Sequence, residues 1–195
     1  VEIKSQIQFY NGISTKEIQE TLIKAASDLI SEETPNYQFV GGRLINYALR
    51  KEVYGQFEPW HVKRLVEKNI ERGFYDPELL GYYDDEEWDK INSFVKHERD
   101  ENLTYVAMEQ LRGKYLCQNR VSGEIFETPQ MCYVLIAATL FNGYPKETRL
   151  QYVKDYYDAI SLHDISLPTP VMAGVRTPQR QFSSCVLIES GDSLD

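Results

Sequence analysis

The sequence predicts a mainly α-helical protein, and three observations carry that expectation. Apolar residues recur at intervals of three and four through most of the first 160 positions, the spacing that turns one helical face inward. Helix-start signals precede those runs at Ser14-Thr-Lys-Glu17, Thr34-Pro35, Asp76-Pro77 and Thr128-Pro129. Alternation at period two is confined to two short places, one around a glycine-containing loop and one near the end of the chain.

The elements follow in order. Ile3 to Tyr10 reads as a short helix. After the capping box at Ser14-Thr-Lys-Glu17, Ile18, Leu22, Ala25, Ala26 and Leu29 define an amphipathic helix to about Ile30. Thr34-Pro35 then supplies a cap and a first-turn proline for a helix running toward Lys51, with Val40, Leu44, Tyr47 and Ala48 on one face. Gly41-Gly42 inside it weakens the helix and so points to close packing. Gly55-Gln-Phe-Glu-Pro59 punctuates the chain and marks the expected domain boundary.

Beyond that boundary a helix from about Pro59 to Arg72 stops at Gly73, a residue suited to the left-handed position past a helix end. Further helices are expected from Asp76-Pro77, from Asp84 to Phe94 and from Asn102 to Arg112. The acidic run Asp84-Asp-Glu-Glu87 reads as a helix start favoured by the macrodipole rather than as a metal site, since it has no histidine nearby. Tyr115-Leu-Cys-Gln118 and Glu124-Ile-Phe-Glu127 flank a five-residue loop with Gly123, the pattern of a hairpin. Thr128-Pro129 opens a helix whose Met131 to Ala138 stretch is apolar nearly all round and therefore buried, and Pro145 opens a last helix through Ile160.

From Leu167 onward the pattern changes. Pro168, Pro170 and Pro178 argue for a rigid loop instead of a helix, with Arg176 and Arg180 expected to pair with carboxylates and fix it. Gln181 to Glu189 alternates as a strand, and its apolar Val186-Leu187-Ile188 calls for neighbours that must lie elsewhere.

Composition bounds the function. The chain has 195 residues, 42% of them hydrophobic, enough for one globular domain or two small ones. A net charge of −9 argues against broad binding to nucleic acid or anionic membranes. With neither a membrane-length apolar run nor a charged-then-apolar leader, a cytoplasmic protein is expected. Cys117, Cys132 and Cys185 are too few and too far apart for a disulfide framework or a zinc ribbon. Taken alone, Cys185 reads as a core residue. Thr169 and Ser184 read as local backbone caps, Gly191-Asp-Ser-Leu194 as a polar turn, and Lys51 as a solvated helix-end charge.

The ordered motifs Leu167-Pro-Thr-Pro170, Gly174-Val-Arg-Thr-Pro178, Gln181-Phe-Ser-Ser-Cys-Val-Leu-Ile-Glu189 and Gly191-Asp-Ser-Leu194 resemble the large subunit of class I ribonucleotide reductase. The likeness runs through all 195 residues and covers an N-terminal part of the family's length. It implies three regions: residues 1–54 as the C-terminal part of an ATP-cone, 55–166 as a helical domain with a short hairpin, and 167–195 as a substrate loop leading into the first strand of a ten-stranded α/β barrel.

The resemblance also implies roles. Cys185 falls on one of two thiols that supply reducing electrons, while Cys117 and Cys132 match no catalytic cysteine and are assigned to packing. Thr169 falls where the family binds the substrate diphosphate, and Ser184 where it makes another substrate contact. Asp192, Ser193 and Leu194 begin the specificity effector site for deoxynucleoside triphosphates. Thr15, Gln19, Tyr47 and Lys51 fall where the cone touches ATP or dATP, with Gln19 in place of a histidine frequent in bacterial relatives. No cofactor is implied in this chain, because the radical metal centre belongs to a small subunit. Expected partners are the rest of the large subunit, that small subunit, thioredoxin or glutaredoxin as reductant and ribonucleoside diphosphates, in a dimer when complete. A non-catalytic helical module that binds nucleotide or protein is the alternative, and the lone apolar strand argues against it.

Overall fold

A computed structural model describes residues 9–189 and Gly191. The regular elements of the described part are helices: α1 Thr15–Ser27, α2 Tyr37–Tyr54, α3 Val62–Glu71, α4 Asp85–Phe94, α5 Tyr105–Gln110, α6 Pro129–Phe141, α7 Lys146–Ser161 and α8 Thr169–Gly174. Short 3₁₀ turns at Pro77–Gly81 and His97–Asn102, and a π turn at Leu111–Tyr115, link some of them. Most of the helical segment expected at Ile3 to Tyr10 lies outside the described residues.

Local chemistry explains the boundaries. Ser14 and Glu17 form a reciprocal capping box on α1, with the Ser14 N–H donating to Glu17 Oε2 at 2.9 Å. Asp84 and Glu87 form a second box on α4, which places the acidic run at a helix N-terminus. Gly73 has φ +77°, so α3 ends on the residue that takes the left-handed form without strain. The expected start at Thr34-Pro35 shifts to Tyr37, because the Thr34 hydroxyl donates to Leu29 O at 2.6 Å and closes the preceding turn. Likewise Thr104 caps α5, and residues 97–102 form a separate 3₁₀ turn in front of it.

The core gathers around α6. Ten consecutive residues of that helix, Pro129 to Ala138, are buried, and α7 packs along it. Trp88, Leu65, Leu79, Ile91, Met108 and Leu116 close the other sides. Gln130, on the inner length of α6, has partners at both ends of its amide: its Oε1 accepts from Tyr157 at 2.6 Å and Ser161 at 2.7 Å, and its Nε2 donates to Asp100 Oδ1 at 2.8 Å. The same apolar cluster takes in Ile23, Ile45 and Leu49 from α1 and α2. Gly42 brings the α2 backbone against the Leu103 carbonyl, the close packing anticipated for Gly41-Gly42.

The hairpin is present in short form. Gln118 and Ile125 make one antiparallel bridge, with the Asn119 N–H donating to Glu124 O at 2.8 Å and the Phe126 N–H to Cys117 O at 2.9 Å.

One expectation for the last stretch is corrected. Residues 169–174 are a helix, α8, and not a loop. Pro168 sits at the N-cap and Pro170 in the first turn, where a missing N–H costs no intrahelical bond; prolines so placed start a short helix instead of forbidding it. Residues 181–189 form no β-ladder among the described residues and are exposed, with Leu187 and Ile188 open to solvent. A strand is defined by its partner's hydrogen bonds, and the neighbours that Val186-Leu187-Ile188 calls for are not among the described residues.

Candidate functional site

The residues that the resemblance assigns to substrate fall on α8 and on the segment after it. Thr169 is the first residue of this helix and is half-buried, whereas Ser184 and Cys185 lie on the exposed segment that follows. Isolated, six residues would not hold a helix. Burial of Met172, Gly174 and Val175 fixes one side, and a buried ion pair fixes the end.

That pair joins Arg176 and Glu127, both side chains fully buried. Arg176 Nε donates to Glu127 Oε2 at 2.7 Å, Nη1 to Met172 O at 2.6 Å, and Nη2 to Tyr115 O at 3.0 Å and to Glu127 Oε1. Glu127 Oε1 also accepts the Cys117 N–H at 2.6 Å, and Oε2 accepts the Tyr75 hydroxyl. Burial, followed by the Glu127 charge, raises the Tyr75 pKa well above its ordinary value, so its hydroxyl remains a donor. The Arg176 carbonyl accepts the Asp76 N–H at 3.0 Å, and the Arg180 guanidinium reaches the Asp76 carboxylate. Both arginines thus meet carboxylates, as expected from the sequence.

The thiols separate sharply. Cys132 is buried with its Sγ 3.8 Å from Met172 O, and burial pushes its pKa far up. Burial also pushes Cys117 up to about 12, so both stay protonated and inert at neutral pH. Cys185 is exposed, against the core placement that its residue type alone suggests.

A second place is a cavity of about 480 Å³ between α1, α2 and the hairpin. It is lined by Thr15, Gln19 and Lys51, three of the four residues assigned to nucleotide contact, together with Lys16, Glu20, Glu52 and Arg112. Gln19 Nε2 donates to Leu44 O at 3.3 Å, and Arg112 bridges Glu20 at 3.3 Å and Glu109 at 2.7 Å. Tyr47 lies outside the lining; its ring packs 5.7 Å from Phe57, and Lys51 Nζ stands 4.9 Å from its centroid. Asp192, Ser193 and Leu194 lie outside the described residues.

Sequence reasoning missed Arg112 and Glu127. No local signal marks Arg112, which reaches the cavity through the π turn. Glu127 was accessible: it shares a face with Ile125 at period two, so a carboxylate was bound for the interior and needed a cation there.

Among the described residues no three His, Cys, Asp or Glu side chains are grouped to hold a metal ion, and no helix is long and apolar enough to cross a membrane.

Residues 101–180, which contain α6, α7, α8 and the buried Arg176–Glu127 pair, match the family described as ribonucleotide reductase, all-alpha domain. The similarity extends beyond that domain. All 195 residues are 58% identical to the ribonucleoside-diphosphate reductase 1 subunit alpha of Escherichia coli strain K12, covering 26% of that protein. They are 57% identical to the subunit alpha of Haemophilus influenzae, again over 26% of its length. Over 192 residues, 98% of this chain and 25% of the relative, the identity to the subunit alpha of Enterobacteria phage T4 is 48%. The chain is therefore homologous throughout to the N-terminal part of ribonucleotide reductase alpha subunits, and it spans about a quarter of the length of the curated relatives it matches.

Proposed function

We propose that this chain is the N-terminal part of a ribonucleoside-diphosphate reductase alpha subunit, with residues 1–54 derived from an ATP-cone, 55–166 the helical domain, and 167–195 the entry to the barrel. The observation that supports this most directly is the 57–58% identity, over all 195 residues, to proteins bearing that name. The reaction replaces the ribose 2′-hydroxyl by hydrogen. The hydroxyl leaves as water, and two thiols are oxidised to one disulfide, which balances the two electrons gained by the sugar.

In this reading Cys185 is one of the two thiols; it forms a disulfide with a partner cysteine at each turnover and is restored by thiol exchange with thioredoxin or glutaredoxin. Thr169 and Ser184 offer short hydroxyl donors to the substrate, Thr169 to the diphosphate. Asp192, Ser193 and Leu194 open the specificity effector site, and Thr15, Gln19 and Lys51 take ATP or dATP at the cavity, with Tyr47 beside Lys51 outside its lining. The radical comes from a metal-containing small subunit, which supplies the homolytic step that side chains here cannot perform. The working enzyme is a cytoplasmic dimer of complete alpha subunits with that partner.

The test is Cys185→Ser in the intact subunit, assayed with small subunit and dithiol. Substrate binding is expected to persist while multiple-turnover deoxynucleotide formation stops, because a hydroxyl cannot enter a disulfide. Undiminished turnover would overturn the reading.

A further inference from the structure

We propose that Arg176 and Glu127 are positioning residues that hold Thr169 at the diphosphate of a ribonucleotide substrate; this rests on the reading of Thr169 given above. A buried ion pair is poor value for stability alone, since apolar side chains of equal volume serve as well or better. What it supplies here is direction. The guanidinium is a rigid fork, and its Nε, Nη1 and Nη2 each reach a named acceptor. Those acceptors belong to three pieces of chain: the Glu127 arm of the hairpin, the Tyr115 end of the π turn, and Met172 in α8 itself.

Met172 lies one helical turn beyond Thr169, on the same side of α8. A slide or rotation of α8 carries Met172 O away from Nη1, leaving part of a buried cation without its acceptor, which is costly. The main chain closes the same anchor, because Arg176 O accepts from Asp76 N. The six-residue helix is thus held in one register by a group that never meets substrate. Register matters here because a hydroxyl displaced by about 1 Å no longer reaches a phosphate oxygen at hydrogen-bonding distance, so substrate binding weakens.

The experiment uses the complete alpha subunit with its small subunit and measures KM and kcat for a ribonucleoside diphosphate. Glu127→Gln keeps the shape but removes the charge, and Arg176→Lys keeps the charge but removes the fork. Each is expected to raise KM about tenfold, with kcat changed less than about threefold and effector affinity unaltered. Thr169→Val in parallel tests the underlying reading, and an unchanged KM for it sinks the substrate role of Thr169 whatever the pair does. If Thr169→Val raises KM while Glu127→Gln and Arg176→Lys leave it unchanged, the positioning proposal alone is overturned. The double variant Thr169→Val/Arg176→Lys should resemble Thr169→Val, because both act through one contact; additive effects would also overturn it. Should both charge variants fail to fold, Tyr75→Phe decides. It removes only the hydroxyl donor to Glu127 Oε2, and an unchanged KM counts against the proposal, a two- to fivefold rise for it.

Discussion

Gly42 in the middle of α2 faces the carbonyl oxygen of Leu103 so closely that a methyl group at Gly42 would overlap it. The obstacle is backbone and cannot swing aside. Gly42→Ala should therefore lower stability by about 1 to 3 kcal/mol, more than the gain of roughly 0.5 to 1 kcal/mol in helix propensity. At Gly41 the new Cβ would meet Tyr105 Cβ at 3.1 Å, an overlap much smaller than that at Gly42 and relieved by a shift of a few tenths of an ångström, so Gly41→Ala should cost less. Urea denaturation of the two variants gives the order; a Gly42→Ala protein as stable as its parent would disprove the close approach.

The pH dependence of stability should show two opposing contributions. Burial pushes the Asp100 carboxyl up from 3.8 to about 7, so the fold holds a proton that the unfolded chain releases, and stability falls as pH rises through that range. Burial, then Arg50, pushes His97 down from 6.5 to about 4, so its contribution is complete above 6.5 and is lost as pH falls toward 4. Between roughly pH 5 and 6.5, above the ordinary carboxylate range, the two slopes offset. Asp100→Asn should uncover the histidine slope, a stability rise of at most about 1.4 kcal/mol per pH unit. Identical pH profiles for variant and parent would contradict this.

Thiol titration should separate the three cysteines. In the native chain an aromatic disulfide reagent at pH 8 should modify Cys185 rapidly and leave Cys117 and Cys132 untouched, because both are buried and their thiolates strongly disfavoured. Denaturant should release all three. Fast modification of two or more thiols in the folded chain would show that α6 or the hairpin opens readily.

For the cavity, Lys51→Ala in the complete subunit should weaken ATP binding by about 1.5 to 3 kcal/mol, the range for a hydrogen bond to a charged group. Arg112→Ala should do something different and loosen α1 from the body, because it breaks the bridge to Glu20. Equilibrium dialysis with labelled ATP checks the first, and unchanged affinity for Lys51→Ala would remove that residue from the site.

What could be read from the sequence was local. Ser14 with Glu17, Asp84 with Glu87, and Gly73 past a helix end each carry their signal within four residues, and each forms the expected structure. The apolar run of α6 announced its own burial. The rest depends on position within an element or on partners distant in sequence. Pro170 is a helix breaker by type, and only its place in the first turn of α8 lets it start a helix. Gln181–Glu189 carries a strand pattern that needs another segment to realise it. Arg112 meets Glu20 across 92 positions, which no window of sequence reveals. Among the site residues, the grouping of Thr15, Gln19 and Lys51 around one cavity is a property of how α1 packs on α2, and the exclusion of Tyr47 from it follows from the ring's contact with Phe57.

The central position of α6 also imposes an order on the birth of the molecule. Its hydrogen-bonding companions Tyr83 and Asp100 leave the ribosome before it, while Tyr157 and Ser161 leave after it. Helices made early must therefore wait with bare apolar faces until α6 arrives, and α6 must wait in turn for α7. The nascent chain passes through an interval in which its stickiest segment has only part of its cover, the stage at which chaperones act and at which slow translation or heat would divert it into aggregates.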